Sequence, residues 1–188
     1  MVFCLKNGFW FSHLTQIKYF YPAMHKKYKT KRLTLKRLGM RDAQFIFDLL
    51  NTEGWIKFIG DRNIKTMEDA QDYTQKVLGD PNIAYWVVKS RLGKLPVGLI
   101  SFIKRDYLTH HDLGFAFLPS FANRGYAFEA ADCVLKDLSE DPNHQVILAT
   151  TRPDNIRSVK LLEKLGFHLT KEIENEQITL LLYSFPEE

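Results

Sequence analysis

The chain has 188 residues, of which 45% are hydrophobic and 26% charged, with a formal net charge of +4, which is typical of one globular domain with its own core. No apolar run approaches the roughly 20 residues of a membrane-spanning helix. The two cysteines, Cys4 and Cys133, lie far apart and have no histidines at metal-ligand spacing. These features exclude a membrane span, a disulfide scaffold and a zinc motif, so we expect no metal and a cytoplasmic location.

The positive charge is concentrated at the N-terminus. Ten of the 26 Lys and Arg residues lie in residues 1–41, which contain no Asp or Glu, so the rest of the chain has 16 basic and 22 acidic residues. A nucleic-acid interface needs a basic face on the folded domain, so none is expected there. Residues 1–28 are interpreted as a basic, aromatic extension that need not be native, with a membrane-surface or partner-binding arm as the alternative. The domain is expected over 29–188.

Apolar periodicity predicts the order of strands and helices. In chain order the predicted elements are a strand (32–38), two helices (41–51 and 66–78), three strands (83–90, 95–105 and 111–119), a helix (125–138), a strand (145–151), a helix (153–166) and two final strands (167–173 and 177–185). Thr66, three residues before Asp69, begins the second helix as in a capping box. This order predicts a single α+β domain with a mostly antiparallel sheet crossed by helices.

The start of the helix at 125–138 has no acidic residue until Glu129. A helix start has four backbone N–H groups without partners and a partial positive charge, so it favours an anion. Gly125 permits close approach of a ligand to the backbone, and Arg124 adds positive charge. The pattern therefore indicates a phosphate site on the N–H groups of residues 123–127. The alternative is that Asn123 caps the helix and Gly125 is incidental.

Two motifs in this region resemble those of a known superfamily. The stretch 112–130, DLGFAFLPSFANRGYAFEA, is followed by PDNIRSVKLLEKLGF at 153–167. Together they resemble the GNAT acetyltransferase superfamily, in its RimJ/RimL-type (ribosomal-protein N-terminal acetyltransferase-like) branch. The resemblance covers roughly residues 30–185. It implies a GNAT fold in which the strands 111–118 and 145–151 splay apart and acetyl-CoA enters the gap.

The resemblance also implies the positions that bind acetyl-CoA. The pantetheine arm would pair with the backbone near Phe117 and Leu118 and contact the Asn155 side chain. The pyrophosphate would lie on the backbone amides of Asn123, Arg124, Gly125, Tyr126 and Ala127. No metal is implied.

The catalytic groups are less clearly marked. Leu162 stands where many members have the tyrosine that protonates the departing thiolate, so Ser158 is the candidate in its place. Asp112 is the first choice for the general base, and the alternative is a strand-edge charge paired with Arg or Lys. Asp61 and Arg62 either line the acceptor side or belong to a solvated loop.

The implied reaction is direct attack of a primary amine on the acetyl thioester in a ternary complex, without a covalent enzyme intermediate. The acceptor would be a protein N-terminus or a small-molecule amine. The expected protein is a monomer or homodimer. The alternative function is a non-catalytic acyl-CoA-binding or regulatory module with a degenerate site.

Overall fold

The computed structural model describes residues 27–186, in which eight strands form one sheet in the order β1-β2-β3-β4-β5-β6-β8-β7. The strands are β1 (Lys27–Lys29), β2 (Leu33–Arg37), β3 (Ile83–Ser90), β4 (Pro96–Lys104), β5 (His111–Phe117), β6 (Ile147–Thr151), β7 (His168–Asn175) and β8 (Ile178–Phe185). All neighbouring strands described are antiparallel except β5 and β6, which are parallel. The predicted α+β fold with a mostly antiparallel sheet is confirmed.

Helices cover both faces of this sheet. The α-helices are α1 (Ala43–Leu50), α2 (Glu53–Phe58), α3 (Met67–Gly79), α4 (Tyr126–Ser139) and α5 (Ile156–Lys164), and short 3-10 helices lie at Met40–Asp42, Pro119–Phe121 and Pro142–His144. One core cluster lies between the sheet and α4, with Leu162 of α5 in the same cluster. A second cluster lies on the opposite face, under α1 to α3. The site described below connects these two faces.

The sequence predicted most of these elements within a few residues. Thr66 caps α3 with the predicted capping box, since its hydroxyl accepts the Asp69 N–H and the Asp69 carboxylate accepts the Thr66 N–H. Among the α-helices and strands, α2 and the three-residue β1 were missed, and the short 3-10 helices were not predicted. Tyr28 of β1 is buried and its hydroxyl donates to Asp137 at 2.6 Å, so β1 begins before the predicted domain start at 29. The rest of the predicted extension lies outside the described residues.

The two parallel strands separate almost as soon as they pair. Within the described residues, β5 and β6 share one registered pair, Asp112 with Leu148. Beyond it β5 continues to Phe117 while still paired with β4, and β6 continues to Thr151 while still paired with β8. We call the resulting gap the strand opening. Its presence confirms the splayed pair that the resemblance implies.

A glycine in β4 fixes the position of the last residue of β5. Gly98 is paired with Phe117, and the Phe117 ring lies flat against it, in the space that a Cβ would occupy. The ring therefore covers Gly98 on the face of α4. This contact holds the end of β5 at the edge of the strand opening.

We predict that Gly98→Ala destabilises the fold by about 1–3 kcal/mol, because the added methyl overlaps the Phe117 ring in a packed core. Gly79→Ala, at the end of α3, is the matched control, since no heavy atom lies within 4 Å of its new Cβ. The control is expected to be as stable as the parent or slightly more so. Urea unfolding of both variants measures the difference, and equal effects would contradict the packing described here.

Candidate active site

One cavity of about 1160 Å³ passes through the strand opening and reaches both faces of the sheet. On one face it is lined by the first turn of α4 and by α5. On the other face it is lined by α2, α3 and the facing side chains of β4 and β5, and we call this part the α3 end. Groups bound on the two faces can therefore meet through the strand opening.

The loop before α4 has two residues in the left-handed region, Asn123 (φ 59°) and Gly125 (φ 74°). Gly125 is the N-cap of α4, and no side chain of the described residues caps the helix. The alternative interpretation, in which Asn123 caps the helix, is therefore wrong. Left-handed residues in such a turn direct successive N–H groups into a concavity that favours anions. The first turn of α4 thus presents uncapped N–H groups to the cavity.

Glu129 and Arg32 hold this loop from the side. Glu129 accepts hydrogen bonds from the Thr30 hydroxyl at 2.6 Å and from the Arg32 backbone N–H and Nε at 2.8 and 2.6 Å. The Arg32 Nη1 donates to the Arg124 carbonyl at 2.9 Å, and the guanidinium lies 4.7 Å from the centre of the Tyr126 ring. The first acidic residue of the helix therefore fixes the loop and does not cap the helix end.

Some of the residues predicted to bind the phosphate and the pantetheine arm line the cavity, and others do not. Asn123, Gly125, Tyr126 and Ala127 line the cavity, as does Phe117. Arg124 and Leu118 do not appear among the residues that line it, and the Arg124 guanidinium lies over the Phe121 ring at 5.4 Å.

Leu118 uses both of its backbone groups within the protein. Its N–H donates to the Val97 carbonyl at 3.0 Å, and its carbonyl accepts the Phe121 N–H at 2.9 Å. The expected pairing of a pantetheine arm with the backbone near Phe117 and Leu118 stays a prediction, and these two Leu118 groups already have partners within the protein. Because backbone groups alternate between the two edges of a strand, those of Phe115 and Phe117 point away from β4, toward the strand opening.

Asn155 and Ser158 line the cavity together at the start of α5. Asn155 is the N-cap of α5, and its side-chain oxygen accepts the Ser158 N–H at 3.3 Å. Among residues 27–186 the Ser158 hydroxyl has no hydrogen-bond partner. The cap occupies the Asn155 oxygen, while its amide NH₂ and the Ser158 hydroxyl remain available to a ligand.

Asp112 joins β5 to β6 through its side chain. The carboxylate is 2% exposed, and its Oδ1 accepts the Thr150 N–H at 3.0 Å while its Oδ2 accepts the Arg105 Nε–H. Burial raises the pKa of Asp112, and the Arg105 charge and the Thr150 N–H oppose that rise. The alternative of a charge paired with Arg or Lys therefore describes its contacts. Its role as a base stays a prediction.

The matching family model is that of the acetyltransferase (GNAT) domain, over residues 32–168. The chain belongs to the GNAT acetyltransferase family. A curated relative from Bacillus subtilis (strain 168), the uncharacterized N-acetyltransferase YnaD, is 32% identical over 137 residues, which are 73% of this chain and 79% of the relative.

Solved GNAT structures resemble the described fold. The ribosomal-protein-S5-alanine acetyltransferase from Vibrio fischeri superposes with a TM-score of 0.71 at 18% identity, covering 84% of this chain and 94% of its own. The aminoglycoside acetyltransferase AAC(6')-Ib in complex with coenzyme A gives 0.68 at 18% identity, covering 81% and 93%. At this identity the likeness shows the GNAT fold alone.

Several residues that line the GNAT cavity were not expected from the sequence. They come from α2, α3, β3, β4 and the residue that follows β4, and include Glu53, Lys57, Tyr73, Tyr85, Ser101 and Arg105. Asp61 and Arg62 were expected either to line the acceptor side or to belong to a solvated loop. Arg62 lines the cavity, whereas Asp61 does not appear in the lining. The position of Arg105 at the end of a predicted strand was the available sequence signal, but the sequence did not predict the β4–β5 register that brings it beside Asp112.

Residues 27–186 contain neither a metal-binding cluster nor a membrane-spanning helix. No three His, Cys, Asp or Glu side chains in this range lie together as a metal ion would need. None of the helices between residues 27 and 186 is long and apolar enough to cross a membrane.

The contacts of Glu129 predict a pH dependence of stability. Burial favours its neutral form, but hydrogen bonds from Thr30 and Arg32 outweigh this and hold the pKa below its ordinary value of 4.5. A lowered pKa adds stability that is complete above pH 4.5 and is lost as the pH falls through the lower folded value.

We expect Glu129→Gln to cost about 1–2 kcal/mol at pH 7, because hydrogen bonds to a charged group are lost. The difference from the parent should shrink below pH 4.5. Glu140→Gln, an exposed change after the last turn of the same helix, is the control and should follow the parent at every pH. Unfolding curves from pH 3 to 7 test this, and a pH-independent difference would contradict it.

Proposed function

We propose that this chain transfers an acetyl group from acetyl-CoA to a primary amine. The observation that carries the proposal is the uncapped start of α4, which opens into a cavity beside an unpaired strand edge. Few ligands need both features. Acetyl-CoA does, because its pyrophosphate needs N–H donors and its pantetheine arm has amides spaced along an extended chain.

The pyrophosphate is proposed to lie on the first turn of α4, where the N–H groups of Tyr126 and Ala127 face the cavity and the helix dipole favours negative charge. Gly125 leaves the approach free of a Cβ. Asn123, also left-handed, belongs to the same concavity. Arg124 contributes long-range attraction, since its guanidinium lies over Phe121 outside the lining residues.

The pantetheine arm is proposed to extend along the free edge of β5. The backbone groups of Phe115 and Phe117 face the strand opening and would hydrogen-bond its amides as an added strand would. The Asn155 amide NH₂ on the other side of the opening would donate to the arm. The thioester then reaches the level of Ser158.

The chemistry proposed is direct attack of a neutral amine on the thioester carbonyl, with the C–S bond broken and the C–N bond formed in one complex. Ser158 donates a hydrogen bond to the departing thiolate and thereby stabilises it. Asp112 is proposed to brace the strand opening, because both its oxygens are already bonded to Thr150 and Arg105. Water in the cavity then carries the amine proton away.

The acceptor is proposed to bind at the α3 end of the cavity. A RimJ/RimL-type assignment is supported by the two motifs at 112–130 and 153–167, and the Vibrio fischeri neighbour is itself a ribosomal-protein acetyltransferase. A protein N-terminus and a small-molecule amine are both compatible with that assignment.

We predict that coenzyme A binds with measurable heat and raises the melting temperature, and that Gly125→Ala lowers its affinity about tenfold. The new methyl is strained at φ 74° and approaches the Arg32 Nη2 to 3.4 Å, so the cradle for phosphate is displaced. Gly166→Ala is the matched control, because it has the same kind of strain (φ 88°) at the end of α5. It should lose stability and keep its affinity. Absence of binding, or equal loss of affinity in both variants, would overturn the proposal.

We predict different effects for variants of Ser158 and Asp112. Ser158→Ala should lower kcat about tenfold or more without weakening coenzyme A binding. Asp112→Asn should lower stability by about 2–3 kcal/mol, because Arg105 loses its partner, and should weaken coenzyme A binding. If Asp112 is instead the base, its variant binds coenzyme A normally and loses the acidic limb of the pH–rate profile. Binding without transfer to any amine would favour the non-catalytic module.

A further inference from the structure

The α3 end of the cavity has a group of polar side chains that the acetyl-transfer step does not use. Tyr85 on β3, Tyr73 on α3, Arg105 after β4 and Arg62 in the α2–α3 loop all line it. The two tyrosines belong to the second core cluster, on the face of the sheet opposite α4. An acceptor that approaches the thioester from this face must pass them.

Two tyrosines at this end form a hydroxyl pair. Their oxygens lie 3.3 Å apart, and either can donate to the other. Whichever donates inside the pair, the second hydroxyl proton remains free for a ligand. Burial raises the pKa of Tyr85, so its hydroxyl stays protonated at neutral pH. The pair is therefore a donor.

Both arginines act on the same hydroxyl. Arg105 and Arg62 line the same end of the cavity as Tyr85, and their charges oppose the rise in the pKa of Tyr85. Arg105 uses its Nε–H for Asp112, and in the described part of the chain its four Nη–H donors have no hydrogen-bond partner. Arg62 has no ion pair or hydrogen bond to any described residue.

The acidic residues that line this end leave the Arg62, Arg105 Nη and tyrosine donors available to a ligand. Asp112 is bonded to Arg105 and Thr150, and Asp80 accepts the Asn82 N–H at 2.8 Å. Glu53 is exposed in the first turn of α2, where the helix dipole stabilises it. A polycation would need more carboxylates than cationic groups here, and the cavity lining has more Lys and Arg than Asp and Glu residues.

From this geometry we infer an anion subsite, formed by Arg62, the Nη groups of Arg105 and the Tyr73–Tyr85 hydroxyl pair, that binds a carboxylate on the acceptor amine. A planar guanidinium matches a carboxylate with two parallel N–H donors. The acceptor class is therefore an amine that also has a carboxylate, such as an amino acid. The inference rests on the proposed function, because it takes the α3 end as the acceptor side.

The test compares each of several amino acids with its own carboxamide, which has nearly the same shape but lacks the negative charge. Phenylalanine, β-alanine and γ-aminobutyrate vary the distance between amine and carboxylate, and each is paired with its carboxamide; spermidine represents polycations. Initial rates with acetyl-CoA give kcat/KM, calculated on the concentration of neutral amine. The expected result is that one acid is acetylated about tenfold or more better than its amide.

The variants then assign the preference to the subsite. Arg62→Gln should bring the acid-to-amide ratio close to one. Arg105→Lys, which keeps a charge beside Asp112 but loses the planar fork, should lower the ratio as well. Arg41→Gln is the matched control, because Arg41 is exposed and does not line the cavity, and it should keep the parent ratio. If the parent prefers the amides or spermidine, or if Arg62→Gln leaves the ratio unchanged, the subsite is overturned while the transferase proposal stands.

A binding measurement covers the case in which coenzyme A binds but no amine is acetylated. That result would overturn the proposed transferase activity without deciding whether the subsite exists. Calorimetry with 3-phenylpropanoate on the coenzyme A-loaded protein still decides the subsite. Binding that Arg62→Gln abolishes and Arg41→Gln keeps supports it, and absence of binding by the parent overturns it.

Discussion

The separation of β5 from β6 depends on one side chain. Asp112 lies at the last registered pair, and its carboxylate takes the Thr150 N–H, which a β5 carbonyl would accept if the parallel ladder continued. The ladder is thereby ended without leaving that N–H unpaired. Burying a carboxylate is costly, and the Arg105 guanidinium offsets the cost. This bond lies where the parallel ladder ends, at the point from which the cavity and the free edge of β5 extend.

Local patterns predicted most of the fold, and the exceptions have physical causes. Helix α2 has six residues with Gly54 near its start, too short for apolar periodicity, and it is fixed by the Thr52 cap and by burial of Trp55. Strand β1 has three residues, two of them lysines, and it is held by pairing with β2 and by the burial of Tyr28. Both elements are stabilised by tertiary packing, which local sequence patterns do not reveal.

The sequence predicted the parts of the site that use backbone groups. It predicted less well the parts that depend on the register between β4 and β5. Phe117 and Leu118 are adjacent, and the sequence favoured them equally as partners of a ligand. Only one can face the strand opening, and the pairing of Leu118 with Val97 decides which. Arg105 meets Asp112 for the same reason, since the β4–β5 register brings the two strand ends together. The sequence patterns around residues 105 and 112 do not specify that register.

This difference explains why the motifs indicate a cofactor more clearly than an acceptor. The first turn of α4 is proposed to bind through N–H groups that every residue but proline has, so the requirement on sequence is the loop conformation, and Gly125 marks it. The α3 end recognises its ligand through the side chains of Arg62, Arg105 and the tyrosine pair, which come from four separate elements. Each of them can change without altering the loop or the strand opening. Acceptor choice in such a fold can therefore change through a few side chains while the acyl-donor site is retained.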